Sequence, residues 1–156
     1  MALIKLAGIT NPVDTNAPIY AGSNFTWDEA TKRGSRLPVQ TNFQGMLIPA
    51  AKITASIIEL AKELDKIRAQ FGDRPIYINS WYRPPSVNRA VGGVGDSQHL
   101  LGWGVDIVIS GLDPLDVYRE LAKTHQGGLG KNRYYTHIDL RHRMGWQSAR
   151  WDYGNA

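Results

Sequence analysis

The chain has 156 residues, 42% hydrophobic and 21% charged, which suits one compact domain with a sizeable core. It has no cysteine, so disulfides, thiolate catalysis and cysteine-held zinc are excluded, and any metal must sit on His, Asp or Glu. The net charge of +4 is compatible with an anionic partner, and no stretch approaches the roughly 20 apolar residues of a membrane span.

Residues 1–24 carry Gly8, Pro12, Pro18 and Gly22 without a sustained period, and read as an irregular arm with a short strand at Leu3–Leu6. Met1–Leu6 lacks the apolar segment of about 7–15 residues expected of a signal peptide. Thr26 followed by Glu29 predicts a capping box and a short helix over Trp27–Lys32, ending at Gly34. The strongest period lies in Leu47–Gln70, where Ile53, Ile57, Leu60, Leu64 and Ile67 mark one apolar helix face. Pro49 is tolerable there only in the first turn.

Pro75–Ser80 reads as a strand, Pro84–Pro85 as a turn, and Ser86–Ala90 as a helical turn. Gly92, Gly93 and Gly95 make a flexible loop. The β-branched run Gly104–Ser110 predicts a strand. Asp113 caps a helix that begins with Pro114 and runs to about Lys123. Gly127, Gly128 and Gly130 read as a turn, Tyr134–Arg141 as the last strand, and the tail from Arg143 as irregular. Helices first, then strands with one more helix, point to an α+β fold with a small, mainly antiparallel sheet and packed helices.

Two segments carry the chemistry. Ser97-Gln98-His99-Leu100-Leu101-Gly102-Trp103-Gly104-Val105-Asp106 places a histidine at the end of a glycine-rich loop and an aspartate seven residues on. Asp106 is the sole charge in an apolar strand, a costly position unless it is paired or ligated. In Tyr135-Thr136-His137-Ile138-Asp139, strand alternation puts Tyr135, His137 and Asp139 on one face. Two His and one Asp leave a fourth zinc position open, the pattern of a catalytic site. His125 and His142 fit no pattern and read as surface residues.

Together these segments resemble the M15 metallopeptidase family, which includes zinc D-Ala-D-Ala carboxypeptidases, murein endopeptidases and phage endolysins. Ser80-Trp81-Tyr82-Arg83 is similar to the family's Ser-x-Tyr-Arg segment. Gly128-Leu129-Gly130, Ala149-Arg150-Trp151 and, more weakly, Phe25-Thr26-Trp27-x-Glu29 resemble its phage-type, murein-endopeptidase-like branch. The resemblance spans roughly residues 24–151. It implies a hedgehog/D-Ala-D-Ala peptidase-like fold, with the arm over 1–24 and a single peptidase domain over 25–156.

It also implies Zn2+ on His99, Asp106 and His137, Arg83 stabilising charge on the substrate, and hydrolysis of an amide bond in peptidoglycan stem peptides or cross-links. Such a protein acts at the bacterial cell wall, as a monomer or as part of a larger particle. Many members carry Glu or Asp three residues before the third ligand as general base. Here that residue is Tyr134, which cannot do a carboxylate's work near neutral pH. Asp139 is then either the base or a group that orients a ligand, and Asp96 is another candidate base. The alternative is a zinc-stabilised, non-catalytic wall-binding or structural module of a phage or injection-type particle. Trp81, Tyr82, Trp103 and Tyr135 are candidates to wall the groove, about half of them as core aromatics instead. Basic residues are scattered apart from Arg141-His142-Arg143, and no nucleic-acid-binding motif occurs.

Overall fold

The computed structural model describes residues 2–153. A central five-stranded sheet has the order β5-β6-β8-β7-β9, built from Ile76–Ser80 (β5), Gly104–Ile109 (β6), Gly128–Lys131 (β7), Thr136–Asp139 (β8) and Ala149–Asp152 (β9). Neighbours are antiparallel except β7 and β9, which run parallel. Two short ribbons precede it: β1 (Leu3–Ile4) with β2 (Val13–Asp14), and β3 (Thr41–Phe43) with β4 (Met46–Ile48). Four helices complete the fold, α1 (Trp27–Thr31), α2 (Ala50–Gln70), α3 (Pro85–Ala90) and α4 (Pro114–Ala122). The α+β class expected from the sequence is the class observed.

The two faces of the sheet have different tasks. Directly paired residues share a face, so one row runs Val105–Ile138–Leu129 across β6, β8 and β7. All three are fully buried, in one cluster with Ile53, Ile57, Leu60, Leu64 and Ile67 of α2 and Val117 and Leu121 of α4. Burying a side chain of this size is worth about 1.5–3 kcal/mol, so this face holds the fold together. The opposite row runs Ser80–Asp106–His137–Gly130–Trp151 across all five strands.

Local chemistry explains where the elements start. Thr26 and Glu29 form the expected reciprocal capping box, and Lys32 in the left-handed region ends α1. The long helix begins at Ala50 rather than Leu47, because Pro49 is extended (φ −64°, ψ 149°) and serves as the N-cap. The three residues before it instead pair with Thr41–Phe43. Gln44 and Gly45, at φ 50° and 82°, make the two-residue turn that such a hairpin needs.

The glycines at 128 and 130 lie in strand β7, not in a turn, and the tail residues Ala149–Asp152 form β9, not irregular chain. The N-terminal residues carry the β1–β2 ribbon, and Ile4, Leu6 and Ile19 enter the core. Asp65 of α2 clamps this segment by accepting hydrogen bonds from Tyr20 Oη at 2.5 Å, Ser23 Oγ at 2.7 Å and Asn24 N at 3.0 Å. No helix among the described residues is long and apolar enough to cross a membrane.

Candidate metal centre

Three elements bring the donors together. Asp106 and His137 are direct partners on β6 and β8, facing away from the core. His99 comes from a 3-10 turn, Gln98–Leu101, capped by the Ser97 side chain. Its Nδ1 lies 2.6 Å from the Trp81 carbonyl, which fixes the tautomer and leaves Nε2 as the free donor. That Nε2 is 3.2 Å from Asp106 Oδ1, and His137 Nδ1 is 2.8 Å from the same oxygen. All three residues are buried, and one donor atom from each lies within 4.8 Å of the others.

The electrostatics favour a cation here. Burial pushes the Asp106 pKa up, but the charge and hydrogen bonds of His99 and His137 outweigh it, so the carboxyl stays ionised well below the usual range. Burial lowers the His99 pKa. It would also lower that of His137, yet hydrogen bonds to Asp106 and Asp139 push it up to about 9. Two buried carboxylates thus draw positive charge onto the ring between them. A metal ion held by these residues would supply that charge in place of the proton. Two imidazoles and a carboxylate around an open position fit zinc.

Asp139 stands behind His137. Its Oδ2 is 2.9 Å from His137 Nε2, the nitrogen turned away from Asp106. Its Oδ1 accepts from Gly128 N at 2.9 Å, Arg141 N at 3.1 Å and Arg141 Nε at 2.9 Å, and Oδ2 accepts from Arg141 Nη2 at 2.7 Å. The residue is 0% exposed. Burial raises its pKa, but His137 and Arg141 outweigh burial and hold the carboxyl below its usual range. Arg141 also lies over the Trp151 ring, 4.9 Å from its centroid.

The missing side chains of β7 make this packing possible. A Cβ on Gly128 would lie 2.4 Å from Asp139 Oδ2, and one on Gly130 would lie 2.5 Å from Tyr153 Cε2 and 2.6 Å from Trp151 Nε1. Both approaches are closer than a side chain can be accommodated without shifting the rings or the carboxylate.

The donors open into a pocket of about 580 Å³ whose lining includes Arg83, Asp96, Tyr135, Trp151 and Tyr153. Arg83 Nε donates to Ser80 Oγ at 3.1 Å, and its Nη2 is 3.5 Å from Asp106 Oδ2. Asp96 sits on the loop after α3, where Asn88 Nδ2 donates to the Val94 carbonyl at 2.9 Å. Tyr134 is 62% exposed and does not line this pocket.

The structure brings the three expected donors together and puts Arg83 in the same pocket, and it adds residues that the sequence did not suggest. Trp81, Tyr82 and Trp103 are core residues, so Tyr135 alone of the four expected groove aromatics lines the pocket. Trp151 and Tyr153 went unrecognised as pocket residues, although the alternation Trp151-Asp152-Tyr153 is a strand signal. Arg141 also went unrecognised, as a residue two positions from Asp139 across a chain turn. His125 is not a surface residue: it is buried, with Nε2 2.7 Å from the Asp139 carbonyl oxygen. His142 is partly buried beside it.

A sheet that turns a buried His-Asp-His set toward an open pocket defines a candidate metal centre. Residues 24–140 match the family described as Peptidase M15, and the chain belongs to that family. It is also similar to the zinc D-Ala-D-Ala carboxypeptidase of Streptomyces albus G, with 30% identity over 84 residues. That alignment covers 54% of this chain and 31% of the relative, so the chain spans less than a third of the relative's length.

Proposed function

We propose that the protein is a zinc metallopeptidase that hydrolyses an amide bond in peptidoglycan stem peptides or their cross-links. The observation that carries this reading is the convergence of His99 Nε2, Asp106 Oδ1 and His137 Nδ1 at the wall of a pocket that also presents Arg83. Zinc held by these three residues would supply a Lewis acid and a water acidified to a pKa of about 7. The family match and the named activity of the Streptomyces relative support the same chemistry.

The side chains divide the remaining work. Arg83, anchored by Ser80, points its guanidinium into the pocket, where it offers positive charge to a substrate carbonyl or carboxylate oxygen. Asp139 acts as a positioning residue. Its oxygens already accept five contacts, and it touches His137 on the side away from Asp106. Such a partner fixes ring orientation and raises ligand basicity. The proton-accepting role falls to Asp96. Among the described residues lining the pocket, Asp96 and Asp106 are the carboxylates, and Asp106 is committed to the metal. Asp96 shares the pocket lining with Arg141.

The test is mass analysis of purified peptidoglycan after incubation with zinc-loaded protein, beside His99→Ala and Asp96→Asn. New muropeptide fragments with the wild type, none with His99→Ala, and a rate about 10²–10⁴-fold lower with Asp96→Asn are expected. The fragment masses identify the bond. The exposed Tyr134 favours a second reading, a zinc-stabilised wall-binding module. Unchanged muropeptides with zinc still bound would establish that reading and overturn the first.

A further inference from the structure

The C-terminal strand β9 lies beyond residue 140, where the family match ends. Yet Trp151 and Tyr153 complete the wall of the metal-site pocket. Trp151 pairs with Gly130, which pairs with His137, so the indole reaches the ligand ring across a strand position that has no side chain. The ring centroids of Trp151 and His137 are 5.2 Å apart. Tyr153 meets His137 edge-on at 6.4 Å and packs on Trp151 at 5.9 Å. Tyr135 packs against Tyr153 with the rings tilted at 50° and centroids 5.6 Å apart. Of the two phenols, Tyr153 is therefore the one in ring contact with the ligand histidine.

Resting on the peptidase reading, we propose that the Tyr153 hydroxyl donates a hydrogen bond to the scissile carbonyl oxygen as that oxygen gains negative charge during amide hydrolysis. No covalent bond to the enzyme forms; the phenol keeps its proton and shares it with the oxyanion. Its chemistry suits the role. An ordinary phenol, with a pKa of about 10, is a neutral O–H donor near neutral pH. Tyr153 is 40% exposed and lines the pocket. Arg83 lines the same pocket from β5's end of the sheet, so a carbonyl oxygen between them has one charged and one neutral donor.

The test compares wild type, Tyr153→Phe and Tyr135→Phe, all zinc-loaded, on a muropeptide that the wild type cleaves. Two further readouts are the affinity for a phosphinate analogue of that cleaved bond, by calorimetry, and the zinc content. Phenylalanine keeps the ring and removes one donor. Tyr153→Phe is expected to lower kcat about 10²-fold, the low end for loss of an oxyanion donor, with KM within about twofold. Phosphinate affinity should fall roughly in proportion, because that group mimics the charged oxygen. Zinc content and Tm should stay at wild-type values. Wild-type kcat and phosphinate affinity in Tyr153→Phe would overturn the proposal and leave the ring as a wall. A loss carried by Tyr135→Phe alone would also overturn it. A wild type that cleaves nothing sinks the peptidase reading itself, a separate outcome.

Discussion

The chain holds two pairs of histidines that look alike at first sight. His99 and His137 meet edge-on with ring centroids 5.1 Å apart, and His125 and His142 meet edge-on at 5.9 Å. Only the first pair has a carboxylate oxygen between its rings, Asp106 Oδ1, with a free nitrogen of each ring turned toward it. In the second pair His125 Nε2 is engaged by a backbone carbonyl, and His142 Nδ1 is buried without a hydrogen-bond partner. His137 stands apart in its pKa, while burial lowers that of His99 as well. Burial lowers the pKa values of His125 and His142, whereas the carboxylates around His137 push that ring up to about 9. Proximity of imidazoles does not make a metal site; a nitrogen of each ring and a carboxylate oxygen clustered within reach of one common cation position do.

The sharpest way to break the contrast is to remove a ligand. His137→Ala or His99→Ala should abolish stoichiometric zinc binding, read by metal analysis after gel filtration. Muropeptide cleavage should fall at least about 10³-fold, because the Lewis acid is lost with the metal. The same change at His142 should leave both within about twofold. A His142→Ala variant that loses zinc would show that the pairs had been misassigned.

A smaller effect comes from the residue that links the pairs. Asp139 holds His137 through its carboxylate and His125 through its backbone carbonyl. Asp139→Asn keeps the shape but weakens the grip on both His137 and Arg141. Zinc affinity should fall about 10–100-fold, the usual range for loss of a ligand's orienting partner. Competition with a chromogenic chelator measures it. Were Asp139 instead the general base, kcat would collapse at full zinc occupancy with affinity intact, so the two roles separate cleanly.

The same contrast marks what the sequence makes legible. The His99–Asp106 spacing and the strand around His137 are local signals, and both donors face the same way because β6 and β8 pair in register. The α2 face is equally plain, since its five apolar positions repeat with the helix. What was hidden depends on neighbours distant in the chain. Gly128 and Gly130 carry turn chemistry in isolation. They belong to a strand because β8 and β9 flank it and because Asp139, Trp151 and Tyr153 need the space above it. His125 reads as a surface residue until a carbonyl fourteen residues away closes over it. The β3–β4 hairpin was missed because Gln44 takes a positive φ that its residue type does not advertise.

The gentlest test concerns acid stability and the second pair alone. Burial lowers the His125 pKa, so the folded ring resists the proton that an unfolded histidine accepts near pH 6.5. Below that value the unfolded state binds more protons than the folded one, and stability falls as pH falls. The stabilising contribution is therefore complete above about pH 6.5 and is lost on the way down toward the folded pKa. His125→Gln removes the titration and retains an N–H donor for the Asp139 carbonyl. Its Tm should be slightly below wild type at pH 7.5, and the gap should narrow or invert at pH 5.5. Differential scanning fluorimetry in the presence of chelator keeps zinc-linked protons at His99 and His137 out of the comparison. Parallel acid slopes for the two proteins would mean that His125 takes up its proton without unfolding, and that the carbonyl contact survives on a charged ring.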